Sequence, residues 1–155
     1  MTTILDIGSG IRPQRAIEGT TICCEPCREY AQHLASAGHI VVNASWADAL
    51  DLFMPLSFDH VTLFDVIEHV DKAVGVGLLE ATLSLARVAV HVYTPDGFCE
   101  QEPAADGTDA WGLHGGEWQR HVSGWTADDF GPGWEVERCQ VRDNPPALAA
   151  TWTRG

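Results

Sequence analysis

Residues 4–10 read ILDIGSG, a short apolar run of Ile4, Leu5 and Ile7 around Asp6 that stops at Gly8, Ser9 and Gly10. An apolar run of this length bounded by glycine suits a strand buried on both faces, as in a parallel sheet. Glycine adopts the left-handed angles of a tight turn without steric cost and lets a ligand approach the main chain. The stretch therefore predicts the first strand of an α/β domain, with a ligand beyond its carboxyl end. It departs from a dinucleotide fingerprint, because Pro13 stands where a third glycine is needed and Arg12–Pro13 leave little helix to receive a pyrophosphate. A nucleoside cofactor without a pyrophosphate suits such a turn better.

Outward from this turn, residues 20–24 (TTICC) form a second strand ending at Glu25 and Pro26, with room for only a stub of helix between the two strands. Residues 28–37 place Tyr30, Leu34 and Ala37 at helical spacing, and Gly38 follows where a C-terminal cap belongs. Residues 39–43, 58–64 and 88–94 read as three further strands, with a helix over 74–87. Residues 134–142 and 147–153 alternate as an antiparallel pair joined by Asp143, Asn144, Pro145 and Pro146. The expected fold is α/β, a Rossmann-like, seven-stranded, mostly parallel sheet with an antiparallel C-terminal strand pair. Residues 95–124 replace periodic apolar positions with glycine, tryptophan, histidine and acids, which predicts a long functional loop.

Glu25 ends the second strand, where its carboxylate can accept hydrogen bonds from both hydroxyls of a ribose lying across the glycine turn. Its structural alternative is an acid at the start of the following helix.

The composition narrows the partners. A chain of 155 residues with 45% hydrophobic and 20% charged residues is expected to fold as one domain over residues 1–155. A formal charge of -13, from 22 acidic and 9 basic residues, opposes binding to nucleic acid or to an anionic membrane. With no long apolar stretch and no basic leader, a cytoplasmic location is expected. The odd set Cys23, Cys24, Cys27, Cys99 and Cys139 reads as reduced thiols. Cys24 and Cys27 lack a second ligand pair, and His114, Glu117 and His121 lack the spacing of a helical zinc motif, so no metal is expected.

Taken together, ILDIGSG, TICCEP and FDHVTLFDVIEHV (residues 58–70) resemble the run of motifs in class I S-adenosylmethionine-dependent methyltransferases. GIRPQ, the CEPCREY segment and DAWGLHGGEWQRHVSGWTADDF resemble, more narrowly, small type-11-like methyltransferases of bacterial surface-polysaccharide gene clusters. The resemblance implies S-adenosyl-L-methionine as cofactor. It matches Asp6, Gly8, Ser9 and Gly10 to the glycine motif, Glu25 to the ribose acid, Trp46 and Asp48 in SWADAL to the adenine-facing turn, and Asp65 to the methionine side. Compared with larger members, the chain starts at the first strand without the covering N-terminal helices, an abbreviated N-terminus that implies closure by a homodimer partner or by the long loop.

Methyl transfer needs mainly in-line placement of the acceptor, because the sulfonium is already a reactive electrophile. A base helps when the acceptor is a hydroxyl, and His69 and His121 are the catalytic candidates. Each has a structural alternative, as a helix-packing or loop-scaffold residue. Trp118 and Trp125, with Trp111, are expected to bind the acceptor through aromatic faces. The resemblance implies O-methylation of a sugar or glycan precursor, or of another small metabolite. The rival readings are a non-catalytic S-adenosylmethionine-binding or scaffold protein and an NAD-dependent oxidoreductase.

Overall fold

The computed structural model describes residues 1–140 and 144–155. Seven strands form one sheet in the order β3-β2-β1-β4-β5-β7-β6. β1 (Thr3–Ile7), β2 (Thr20–Cys24), β3 (Ile40–Val42), β4 (Phe58–Phe64) and β5 (Ala86–Pro95) run parallel. β7 (Ala147–Thr153) pairs antiparallel with both β5 and β6 (Trp134–Cys139). β1 lies at the centre of the parallel part, and Ile4, Leu5, Asp6 and Ile7 are all buried, as a strand covered on both faces requires.

Helices α1 (Arg28–Ser36), α2 (Trp46–Leu52) and α3 (Lys72–Leu85) make three of the four parallel crossovers. α1 ends as expected, with Ala37 as its cap and Gly38 at a φ of 89°. The connection from β1 to β2 contains no helix at all; it is organised around Gln14, whose side-chain oxygen accepts from the Ile17 N–H at 2.9 Å and whose amide nitrogen donates to the Ile17 carbonyl at 3.1 Å. Residues 46–52 correct the sequence reading, which took them as a turn. They are helical because Ser45 caps the first turn, its hydroxyl accepting from Asp48 N at 3.2 Å and donating to the Asp48 carboxylate at 2.7 Å.

α3 starts two residues earlier than its apolar periodicity suggests, and β5 follows it without a connecting residue. Gly75, in the first turn of α3, has a packing role: a Cβ there would lie 2.4 Å from Trp125 Cζ2. The C-terminal pair is antiparallel as expected, with β6 described to Cys139; residues 141–143, which the sequence reading divided between that strand and its turn, lie outside the described residues. No helix among the described residues is long and apolar enough to cross a membrane.

The core joins Leu5, Val61, Leu63, Leu78, Val90 and Trp125 across the sheet and α3. Strand order reverses between β1 and β4, and a crevice opens there beyond their carboxyl ends. In open α/β sheets ligands bind at such a point.

Candidate functional site

Two cavities open at this crevice. The larger, of about 500 Å³, is lined by Asp6, Ser9, Arg12, Tyr93, Trp111 and His121 among others. The smaller, of about 130 Å³, runs beside Glu25, Pro26, Tyr30, Trp46 and Trp118. Gly8, Gly10, Asp65, His69 and Gln119 border both, so one elongated ligand can occupy the pair. The larger volume lies within the usual range of small-molecule sites.

The glycine turn forms the floor. Gly8 at φ 69° and Gly10 at φ 59° both hold left-handed angles. The Gly8 N–H donates to the Cys24 carbonyl at 2.8 Å, and the Gly10 N–H donates to Glu25 Oε2 at 2.7 Å. The other carboxylate oxygen of Glu25 accepts from Cys27 N at 2.8 Å. Glu25 is only 3% exposed. Burial pushes its carboxyl up to about 7; the two backbone N–H groups oppose the shift and the nearby Asp6 charge adds to it.

Asp6 accepts from Thr62 Oγ1 at 2.5 Å and from Gln14 N at 2.9 Å. Burial raises its carboxyl above the ordinary range, against these hydrogen bonds. Ser9 donates its hydroxyl back to the Asp6 carbonyl at 2.9 Å. Asp6 therefore lines the cavity and also fastens the helix-free connection to β1 and β4.

Beyond β4 the chain turns sharply at Asp65, a non-glycine residue at φ 55° whose N–H donates to the Tyr93 carbonyl at 2.8 Å. Left-handed angles at such residues mark sites where surrounding contacts dictate the backbone. A 3₁₀ turn, Ile67–His69, follows. Glu68 is 1% exposed and accepts from Thr94 Oγ1 at 2.9 Å. Burial, helped by the Asp65 charge, pushes its carboxyl up to about 8. His69 lies edge-on to His121, with ring centroids 4.8 Å apart. Burial lowers the His69 pKa to about 4, so its imidazole is neutral at ordinary pH.

The structure thus brings together Asp6, Gly8, Ser9, Gly10, Glu25, Trp46, Asp65, His69 and His121 around one crevice. It separates three other candidates. Asp48 lines neither cavity, its carboxylate being engaged with Ser45 at the start of α2. Trp118 is 51% exposed and borders the smaller cavity beside Trp46 and Glu25, and not the larger one.

Trp125 corrects the reading outright. It is 0% exposed, packs on Gly75 of α3, and donates its indole N–H to the Ile67 carbonyl at 3.1 Å and to Ser123 Oγ at 3.0 Å. Lys72 Nζ sits 4.4 Å from its ring centre. An acceptor cannot reach a ring so enclosed, and this side chain is part of the core.

Sequence reasoning missed the residues that hold the long loop over the site. Tyr30 donates its hydroxyl to Asp109, whose carboxylate also accepts from Trp111 N at 2.8 Å and Leu113 N at 3.1 Å. Trp111 meets the Tyr30 ring edge-on at 5.5 Å, and a Cβ at Gly10 would lie 3.6 Å from Trp111. The signal present in the sequence was Asp109-Ala-Trp111-Gly112-Leu113, an Asx-type turn in which an aspartate side chain accepts from later N–H groups. Glu68 was also passed over, although it stands beside His69. The cluster weighed from sequence does not assemble: His114 pairs with Glu29 and Glu117 with Arg120, while His121 joins Glu68 and His69.

No family model matches the chain, and no curated protein matches it. Among solved structures, a S-adenosylmethionine-dependent methyltransferase from Archaeoglobus fulgidus superposes with a TM-score of 0.65 at 12% identity over 99% of this chain and 86% of that one. Magnesium protoporphyrin IX methyltransferase from Synechocystis, solved with bound S-adenosylmethionine, gives 0.57 at 12% identity over 96% and 69%. A Rhodobacter sphaeroides protein described as a Zn-dependent alcohol dehydrogenase gives 0.66 at 12% identity over 99% and 84%. At these identities the likeness is one of fold, and that fold is the class I methyltransferase fold.

Proposed function

We propose that this chain binds S-adenosyl-L-methionine and transfers its methyl group to a hydroxyl of a small acceptor, a sugar or glycan precursor first and another small metabolite second. The reading rests above all on Glu25, which directly follows β2 beside the smaller cavity and next to a glycine turn that no helix follows. A carboxylate there accepts from two ribose hydroxyls. A pyrophosphate, by contrast, needs the N–H groups and positive end of a helix directly after the glycines, and residues 8–19 supply none.

Charge points the same way. Asp6, Glu25 and Asp65 border the cavities, and Arg12 is the one Lys or Arg lining them among the described residues. An acidic crevice favours a sulfonium cation over a diphosphate. Arg12 is then the partner for the methionine carboxylate, Trp46 and Trp118 flank the adenine, and the acceptor enters the larger cavity. There His69 and His121 face the hydroxyl whose proton must leave. The fold of the Synechocystis enzyme, which holds S-adenosylmethionine, supports the assignment, and the helix-free turn weighs against the dehydrogenase reading.

Titration calorimetry with S-adenosylhomocysteine and with NAD tests this. Saturable binding of the first and none of the second is expected, and the reverse would overturn the reading. Gly8→Ala gives an independent check. Its φ is positive and the new Cβ would lie 2.7 Å from Val66 Cγ2. The left-handed angle alone costs roughly 1 to 2 kcal/mol, and moving Val66 displaces the turn that carries Asp65. We expect a lower melting temperature together with at least about tenfold weaker S-adenosylhomocysteine binding, a loss that corresponds to about 1.4 kcal/mol. Gly77→Ala, where a Cβ meets nothing within 4 Å, should leave binding unchanged.

A further inference from the structure

We propose that Glu68, His69 and His121 form a binding site for a divalent transition-metal ion of the zinc class at the acceptor end of the crevice. One ligand atom from each of the three lies within 4.8 Å of the other two. Ligands around a tetrahedral zinc sit roughly 3.4 Å apart, from metal–ligand distances of about 2.1 Å. The three ligand atoms therefore have to close by up to about 1.4 Å to complete the contact.

Three further observations point to a ligand. Glu68 Oε1 is fully buried and has no hydrogen-bond partner among the described residues, although Oε2 is held by Thr94. A buried carboxylate oxygen left without a donor is costly and calls for an explanation. Asp65, whose charge acts on Glu68, borders the larger cavity. Two such carboxylates repel unless a proton or a cation lies between them.

The imidazoles are also set for ligation. His69 Nδ1 faces the Arg120 carbonyl at 3.0 Å, and His121 Nδ1 faces the Cys99 carbonyl at 2.5 Å. A carbonyl only accepts, so each Nδ1 carries the proton and each Nε2 keeps its lone pair. This outer carbonyl contact is the usual way a metal-binding histidine is oriented. The segment that brings His121 to the 3₁₀ turn is fixed as well, since Val122 N and Ser123 N both donate to the Glu68 carbonyl at 2.8 and 3.1 Å, and Ser123 Oγ donates to the Ile67 carbonyl at 3.1 Å.

Two imidazoles with one or two carboxylates select a borderline ion such as Zn²⁺ or Co²⁺ over Mg²⁺ or Ca²⁺, which prefer oxygen alone. His69, His121 and Asp65 all border the larger cavity, so the ion keeps a coordination position open to the acceptor. What the ion does there rests on the methyl-transfer reading. It binds the acceptor hydroxyl and lowers its pKa, so that the proton leaves to water. The oxygen lone pair then takes the methyl group, the S–C bond breaks, and its electron pair stays on sulfur.

The test uses the full chain freed of metal with a chelator. Calorimetry with Zn²⁺ should give one site, and Co²⁺ should produce ligand-field absorption without a cobalt–thiolate charge-transfer band. His121→Ala and Glu68→Gln should each weaken Zn²⁺ at least about 100-fold, beyond the loss seen when only an outer partner is removed, while His114→Ala changes nothing. A thiolate band, absence of stoichiometric binding, or wild-type affinity in both variants would overturn the site. If Glu68→Gln does not fold, the cobalt spectrum of the parent chain still decides. Zn²⁺ binding without S-adenosylhomocysteine binding supports the ion site and overturns only the methyl-transfer reading.

Discussion

Replacing Trp125 by alanine is expected to lower stability by about 3 to 5 kcal/mol, the range for deleting a large aromatic from a core. For a chain of this size that corresponds to a fall in melting temperature of roughly 6 to 20 °C. The cause is enclosure: the ring is fully buried, α3 carries glycine where it packs, and both acceptors of its N–H, the Ile67 carbonyl and Ser123 Oγ, are themselves buried. Deletion also takes one donor from each acceptor and leaves the Ile67 carbonyl with the Ser123 hydroxyl. Trp125→Phe keeps most of the volume but loses the N–H, and a fall of about 1 to 2 kcal/mol is expected, the scale of one buried hydrogen bond. Thermal unfolding followed by far-ultraviolet circular dichroism measures both. A Trp125→Ala chain that melts with the parent and only binds acceptor more weakly would return Trp125 to the acceptor site.

That reversal of role shows where sequence reading stops. β1, its glycine turn, β2 and Glu25 were legible because strand burial and turn chemistry are local properties, written within a few residues of each other. Helix α2 was not recognised, since seven residues containing Trp46, two alanines and two aspartates carry little periodicity; the Ser45-x-x-Asp48 pair was its one signal. Nothing in a loop with three tryptophans tells which of them the core will enclose. The choice fell to Trp125 because Gly75 leaves a gap for it in a helix far along the chain. Trp111 remains 45% exposed and borders the larger cavity. His69 and His121 could each be singled out by type, yet their union with Glu68 depends on backbone hydrogen bonds between distant segments, which no local pattern encodes.

The second large effect concerns Glu25. In the folded chain its carboxyl titrates at about 7, against 4.5 for the ordinary side chain, and the first cause is burial. Below pH 4.5 both folded and unfolded chains hold the proton, and Glu25 costs nothing. As pH rises from 4.5 to 7 the unfolded chain ionises first, so folding must take up a proton and stability falls. Above 7 the loss levels off, at no more than roughly 3 kcal/mol on the scale of 1.36 kcal/mol per pH unit.

Asp6, Asp65 and Glu68 are raised as well and slope the same way, so the difference between the parent and Glu25→Gln isolates Glu25. The parent should lose stability relative to Glu25→Gln between pH 5 and 8. Binding should run in the opposite direction. Two ribose hydroxyls donate best to an ionised carboxylate, so affinity for S-adenosylhomocysteine in the parent should improve as pH rises to about 7 and then flatten. Glu25→Gln should lack this rise, and Glu25→Ala should bind about 5-fold to 150-fold more weakly at pH 8, the equivalent of 1 to 3 kcal/mol for a hydrogen bond to a charged group. Calorimetry in buffers of different ionisation enthalpy should detect proton release on binding near pH 6 in the parent alone. Equal affinity of parent and Glu25→Ala, flat across pH, would remove Glu25 from the ribose and the cofactor assignment with it, since no other carboxylate stands at the end of β2 beside the glycine turn.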